Sequence, residues 1–217
     1  MSETKVLVVV GMQAEAALLP KHAAVVVSGG DQEQLKQLLA QQGQGLAGVI
    51  SFGIAGGLDP ALKPGDLVVA TRVRGRSGAA FPADGGWAAR LARLSSGRLG
   101  VVAGATEVVG DPAAKRALHA ATGALAVDLE TLEAAAFAAR HQLPFAALRA
   151  VADTAGDAVP LAAAKGLKPD GRPATGRVLL ALMRRPHELK PLLQVARQTR
   201  TALHALSEVA QHLPPPR

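Results

Sequence analysis

Residues 51–71 read SFGIAGGLDPALKPGDLVVAT: an apolar run closes on glycines, and a Pro-Gly-Asp corner launches a second apolar run. Strand, glycine turn and strand is the pattern this predicts, and it recurs along the chain. KVLVVVGM (5–12), AAVVVSGG (23–30), GVISFGIAGG (48–57), DLVVATRV (66–73), RLGVVAGA (98–105), ALAVDLE (124–130) and PFAALRAVAD (144–153) are β-branched or small-aliphatic runs ended by Gly or a carboxylate. They make seven predicted strands. Between several of them, Asp31–Gln42, Gly86–Leu94, Pro112–Thr122 and Glu130–His141 are rich in Ala, Leu, Gln and Arg and predict helices. Strands alternating with helices argue for an α/β domain with a largely parallel sheet covered on both sides.

Composition narrows the class. At 217 residues the chain can bury one substantial core, and 49% hydrophobic residues with only 2% aromatic means a core of Ala, Val and Leu. Cysteine is absent, so disulfide scaffolds, thiolate metal sites and cysteine nucleophiles are excluded, and a cytoplasmic address is the expectation. The apolar run Val6–Met12 is too short for a signal core or a membrane span, and reads as a buried first strand. The net charge of +7 is localised: residues 160–217 hold ten Lys or Arg against three acids, while residues 1–159 hold fourteen of each. With no Tyr, one Trp and no recognisable motif, stacking on bases is poorly supplied, and nucleic acid is not the expected partner. The six His never fall at HxH or HExxH spacing and GxSxG is missing, so neither a metal site nor a nucleophile elbow is expected.

In an open α/β sheet the ligand sits beyond the carboxyl ends of the strands, so the residues at strand exits carry the functional reading. Here those exits are polar: Glu15 after the first strand, Ser28, Gly29 and Gly30 after the second, Gly53–Gly57 after the third, Asp128 and Glu130 after the sixth, Asp153 after the seventh. Each acid also has a plain structural reading, as a first-turn or capping residue. The GIAGG stretch lacks GxGxxG spacing and an acid about 20 residues on, so a dinucleotide site is disfavoured.

Five separated motifs, GMQAEA (11–16), SGG (28–30), residues 51–71, AVDLETLEAAAFA (126–138) and LRAVADTAGD (148–157), resemble those of the purine nucleoside phosphorylase and methylthioadenosine/S-adenosylhomocysteine nucleosidase superfamily. Its typical forms read GAMEEE, SGxG, NTGxAGGLxxxLKVGDIVVS, VEMEAxA and RxISDxA. The resemblance implies a single-domain, three-layer nucleoside phosphorylase-like fold over residues 1–217, with a central mixed, mostly parallel sheet. Its catalytic core would span about 5–160 and a basic helical C-terminal part about 173–211. Within the superfamily, FPADGGWAARL (81–91), LHAATGALAVD (118–128), GLKPDGRP (166–173) and LMRRPHELKPLLQVAR (182–197) resemble the hopanoid-biosynthesis-associated phosphorylases, which act on adenosylhopane.

The implied chemistry is cleavage of an N-glycosidic bond through an oxocarbenium-like sugar, with no cofactor beyond phosphate as a conceivable co-substrate. By position, Glu15 matches the glutamate that orients or deprotonates the attacking water. Glu130 matches the one that binds the ribose hydroxyls, and Asp153 the aspartate that protonates the purine at N7. Asp153 must hold a proton when it acts, so burial is expected to raise its pKa. Ile54, Ala55 and Gly56 would line the nucleoside site with Asp128, Leu129, Ser28, Gly29 and Val108.

There are departures from the family pattern. Ala152 stands where relatives carry Ser, Leu129 replaces the Met of VEMEA, and Asp128 replaces its first Glu. Val108 and Val109 stand near the place of a base-stacking Phe, and the hairpin region between Pro20 and Val25 is short. Arg and Ser, which phosphorylases of the superfamily often carry around the GxxG stretch, are replaced by Ser51 and Ile54. Ser28, the backbone of Gly29 and Gly30, and Arg72 or Arg74 are then the remaining candidates to hold phosphate, and water is favoured over phosphate. The alternatives are a soluble nucleosidase for methylthioadenosine or S-adenosylhomocysteine, a purine nucleoside phosphorylase, and a non-catalytic nucleoside-binding protein. From Glu188 to Gln211 apolar residues follow helical spacing, with Leu189, Leu192, Leu193, Ala196, Leu203, Leu206 and Ala210 on the predicted apolar face. The helix is expected to pack on the sheet or to touch an anionic membrane at the cytoplasmic face, the terminal PPPR to be frayed, and the protein to be a homo-oligomer.

Overall fold

Alternate residues along the first strand serve two different cores. In β1 (Lys5–Val10), Leu7 and Val9 enter one apolar cluster and Val8 and Val10 another. A strand buried on both faces has no polar side to show, which is why its sequence is a continuous apolar run rather than an alternating one. The computed structural model describes residues 5–43, 45–160, 168, 170–172 and 189–216.

β1 lies between β2 (Ala24–Val27) and the first half of β3 (Leu46–Gly57), parallel to both. The other side of β3 pairs in parallel with β8 (Phe145–Asp153), and β8 runs antiparallel to β4 (Leu67–Gly75). β4 pairs in parallel with β6 (Arg98–Gly104), β6 in parallel with β7 (Ala124–Asp128), and β7 returns antiparallel onto Gly56 and Gly57 of β3. The mixed, mostly parallel sheet expected from the motifs is present. Five of its strands close into a ring, β3–β8–β4–β6–β7, with β2–β1 as a wing. The short β5 (Ala80–Pro82) lies along β4. It is an eighth strand that the sequence reading passed over, because three residues carry no periodicity.

The glycine turn expected within residues 51–57 is a correction. The backbone stays extended to Gly57, since β8 supplies partners on one side and β7 takes over on the other after β1 ends at Ser51. The chain turns only afterwards, through Leu58–Asp66, into β4.

Helices α2 (Gln32–Ala40) and α5 (Thr131–Arg140) cover the face of Leu7, Val49 and Ala147. On the opposite face, Val8, Ile50 and Leu148 meet α3 (Gly85–Ser95) and α6 (Leu189–Ala210). A third cluster packs α4 (Pro112–Thr122) over β6 and β7. Three helices begin on a capping aspartate: Asp31, Asp84 and Asp111 accept the N–H of Gln34, Trp87 and Ala114 at 3.0, 2.7 and 2.8 Å. In these three the carboxylate has a structural role.

Two expectations at the C-terminus are corrected, the first of them in part. The buried face of α6 carries Leu206 and Ala210, as the spacing suggested, together with Ala202 and Val209, while Leu189, Leu193 and Ala196 are exposed. The helix packs on β8 through its C-terminal half, so the apolar stripe holds there and fails in the first half. The terminal prolines are docked rather than frayed: Trp87 Nε1 donates to the Pro214 carbonyl at 2.6 Å and Arg90 to that of Pro215 at 2.8 Å. A Pro-rich segment has no N–H of its own to satisfy there and offers carbonyls freely. The basic stretch 173–188 lies outside the described residues, as does half of GLKPDGRP.

Candidate active site

Where β1 leaves β3, the backbone of both strands loses its ladder partner, and Glu15 fills the gap. It sits in the single turn α1 (Gln13–Ala16), 1% exposed. Its Oε2 accepts the N–H of Gly11 at 2.8 Å and of Met12 at 2.9 Å, and its Oε1 accepts the N–H of Ile54 at 2.7 Å. The first-turn reading of this acid is correct. Gly53 is required opposite it, because a Cβ there would lie 2.5 Å from Glu15 Oε1 and 2.7 Å from Arg149 Nη1.

Asp128 and Glu130 follow β7, and both are buried. Asp128 accepts the N–H of Thr131 at 3.0 Å and so caps α5, a role that Glu130 does not share. Glu130 Oε1 accepts from Ser28 Oγ at 2.8 Å. A Cβ on Gly11 would come within 2.9 Å of the same oxygen.

Beneath these acids lies Arg149, fully buried in β8. It ion-pairs with Asp128 through Nε, approaches Glu130 Oε2 at 3.9 Å, and donates to Thr131 Oγ1 at 2.9 Å and to Ser51 Oγ. Burial raises the pKa of Glu15, against the pull of Arg149 and three backbone N–H groups. Burial likewise pushes Glu130 up to about 7, with Arg149 opposing and Asp128 and Glu15 adding to the rise. One cation faces three acids, so full ionisation of all three is disfavoured.

Asp153, the last residue of β8, forms the other wall. Its pKa is raised by burial against the pull of Lys115, in the direction expected from the sequence. Lys115, in α4, is fully buried and ion-pairs with Asp153 Oδ1.

Together these elements enclose a cavity of about 170 Å³. Of the residues singled out from sequence, Glu15, Ile54, Ala55, Gly56, Val108, Asp128, Leu129, Glu130 and Asp153 line it. Ser28 stands one layer back, behind Glu130. Of the phosphate candidates only Gly30 lines the cavity, and its N–H donates to Ser28 Oγ at 3.0 Å; Ser28 Oγ is committed to Glu130, the Gly29 N–H donates to the Gly11 carbonyl at 3.0 Å, Arg74 donates to the Thr122 carbonyl at 3.3 Å, and Arg72 is exposed on β4 away from the lining. Among the described residues, the lining holds five acids, Glu107 included, and no Lys or Arg.

Sequence reading missed Arg149, Lys115 and Glu107. A charge inside the apolar strand FAALRAVAD was a usable signal, since a buried arginine demands acidic partners. Lys115 shares a helical face with buried Leu118, three residues on, which marks it as inward. Exposed beside Val108 at the rim, Glu107 carries no such signal.

A closed mixed sheet with three acids gathered at its strand ends defines the class. The Phosphorylase superfamily matches residues 31–184, and the chain belongs to that enzyme superfamily. Among solved structures, the Streptococcus pyogenes S-adenosylhomocysteine nucleosidase in complex with 5-methylthiotubericidin is similar over 99% of each chain, at 18% identity and TM-score 0.68. The Campylobacter jejuni 5′-methylthioadenosine/S-adenosylhomocysteine nucleosidase aligns over 94% of this chain and 99% of its own, at 16% identity and TM-score 0.64. Futalosine hydrolase of Helicobacter pylori aligns over 95% and 97%, at 15% identity and TM-score 0.64. At these identities the likeness is one of fold. A search of curated proteins finds no match.

Proposed function

We propose that the protein hydrolyses the N-glycosidic bond of an adenine nucleoside, and that its substrate is adenosylhopane, giving adenine and ribosylhopane. The observation that carries the hydrolytic reading is the charge of the cavity wall: five acids and no cation among the described lining residues. A phosphate dianion there would meet like charge without a donor to offset it, whereas water would not.

In this reading Glu15 takes the proton from water as it adds to C1′. Its pKa, raised by burial, makes it a stronger base than an exposed glutamate. Glu130, steadied by Ser28, accepts from the ribose hydroxyls. Asp153, on the opposite wall, gives its proton to N7 as the C1′–N9 bond breaks and its electron pair passes to the base. Gly56 and Ala55, with no long side chains, leave room for the flat purine against the end of β3.

The lipid portion of the substrate is supported by the motifs of the C-terminal half and by surface chemistry. Val108 is exposed at the cavity rim, and Leu189 and Leu193 are exposed on α6 beside Lys190 and Arg197. Apolar side chains flanked by cations suit contact with an anionic membrane surface. Among the described residues no helix is long and apolar enough to cross a membrane, so the contact would be peripheral. The folds of the nucleosidases named above favour a second reading, a nucleosidase for methylthioadenosine or a related small nucleoside.

The test is adenine release by purified protein from adenosylhopane in detergent or liposomes, and from methylthioadenosine, each with and without phosphate. Release from adenosylhopane without phosphate supports the proposal. Release only with phosphate moves it to phosphorolysis, and release from methylthioadenosine alone removes the lipid. Silence on both leaves a nucleoside-binding protein.

A further inference from the structure

Lys115 lies behind the cavity wall, bonded to Asp153, and the chemistry above does not use it. A lysine in the first half of an exposed helix normally extends into solvent, as its neighbour Arg116 does. Lys115 instead turns inward, with an exposure of 0%. Its Nζ meets three acceptors: Asp153 Oδ1, the Thr154 carbonyl at 2.7 Å and the Asp157 carbonyl at 3.0 Å. An ammonium has three protons to give and a neutral amine only two, so this set fits the charged form. Burying that charge is costly unless it is paired, and the pair is the proposed leaving-group acid.

The other carboxylate oxygen of Asp153 has no hydrogen-bond partner among the described residues, and Asp153 lines the cavity. β8 holds the backbone of Asp153 against Gly56, whose missing side chain leaves the carboxylate its space, at 3.3 Å from a Cβ position. The following turn is tied as well: Asp157 accepts from the Thr154 N–H and hydroxyl at 2.8 Å each, and Gln194 and Gln198 of α6 donate to it at 2.9 Å. The charged groups facing Asp153 are therefore Lys115 from α4 and Asp157 from the turn. From β3 and α6 it is met only by neutral groups.

We propose that Lys115 is the positioning residue of the leaving-group acid: it pins Asp153 by one oxygen so that the other faces the purine, and its ammonium takes up the charge left when the proton departs. The inference rests on the nucleosidase reading. Asp153–COOH gives its proton to N7 while the C1′–N9 electron pair passes to the base, leaving Asp153–COO⁻ beside the Lys115 ammonium. Water adds to C1′ and gives its proton to Glu15. Glu15 then releases that proton to solvent, and Asp153 regains one. Lys115 keeps its three protons throughout and never touches substrate.

The pH consequence has a definite sign. The acid works only while protonated, so activity falls as pH rises through its pKa. An ammonium beside it lowers that pKa, so removing the ammonium moves the alkaline limb upward.

The test compares wild-type, Lys115→Met and Lys115→Arg proteins on adenosylhopane and methylthioadenosine, and on 4-nitrophenyl β-D-riboside, whose leaving group departs without a proton. For Lys115→Met the expected result is a kcat on the nucleosides reduced about 10- to 100-fold with KM within about twofold. Its alkaline limb should rise by about one pH unit, and Lys115→Arg should restore the wild-type limb. Hydrolysis of the nitrophenyl riboside should change by less than about twofold. An unmoved limb, or an equal loss on nucleosides and nitrophenyl riboside, overturns the inference while the nucleosidase reading stands. Should Lys115→Met fail to fold, Lys115→Gln and the wild-type protein decide it: an alkaline limb shared by the nitrophenyl riboside and the nucleosides would overturn it. A wild-type protein that releases base from neither nucleoside overturns the nucleosidase reading, and the inference with it.

Discussion

Glu15 Oε1 accepts the Ile54 N–H at 2.7 Å across the point where β1 and β3 part company. One carboxylate thus does what the missing stretch of sheet would have done, and it places a base at the mouth of the cavity. A group serving both ends cannot be exchanged for its amide without consequence for both.

Glu15→Gln removes the base and also turns an amide NH2 donor toward backbone N–H donors. The carboxylate takes three N–H groups on two oxygens, while an amide has a single accepting oxygen. Adenine release is expected to fall about 10²- to 10⁴-fold, and stability by about 1 to 3 kcal/mol. Steady-state kinetics and thermal unfolding check the two losses separately. A variant that keeps wild-type turnover would remove Glu15 from the mechanism.

Glu130→Gln should stabilise the protein at alkaline pH. Folding raises the pKa of Glu130 from 4.5 to about 7, so the folded state holds a proton there that the unfolded chain has lost. Stability from this group is complete below pH 4.5 and is lost as pH rises through about 7. The amide carries no charge to desolvate and can still accept from Ser28. Unfolding in urea should show a gain of roughly 1 to 3 kcal/mol at pH 8 and little change at pH 4.5, with ribose binding weakened. Equal effects at both pH values would contradict the cause given for the shift.

Gly53→Ala adds a methyl at 2.5 Å from Glu15 Oε1 and 2.7 Å from Arg149 Nη1. Neither neighbour can retreat, since both are buried and hydrogen-bonded. A loss of about 1 to 3 kcal/mol in stability and a fall in kcat larger than that of Gly43→Ala are expected. Gly43 has open space around it and serves as the control.

Trp87 is the only tryptophan in the chain and is fully buried, with its indole N–H on the Pro214 carbonyl. Deleting residues 214–217 should shift its emission to the red and cost about 1 kcal/mol of stability. An unchanged spectrum would mean that the tail leaves the indole covered without its help.

Much of this arrangement was legible in the sequence because it is local. The apolar runs gave the strands to within a few residues, and Glu15, Glu130 and Asp153 each follow a run that could only be a buried strand. What stayed hidden is set by contacts far apart in the chain. Lys115 and Arg116 are adjacent and alike in composition, and only the packing of α4 over β7 sends one inward and the other to solvent. The first half of the α6 stripe failed for a similar reason: its outer residues are as apolar as its inner ones, so spacing alone did not choose between Leu193 and Ala202. The chain carries no mark of ring closure, because Gly56 and Gly57 read as a turn until β7 is known to lie beside them.

The ring also sets the order in which the molecule can come into being. β3 and β4 are consecutive in sequence, yet β8 is seated between them, parallel to one and antiparallel to the other. A nascent chain emerging from the ribosome must hold that slot open, for the strand that fills it begins only at Phe145. Until then Leu67–Val69 lack their partners on the β8 side. Folding of this protein therefore waits on β8, the last strand among the described residues, with a high share of long-range contacts and an exposed pair of apolar edges in the interval. The residue that ends this late strand is Asp153, so the acid enters the cavity only as the sheet is sealed.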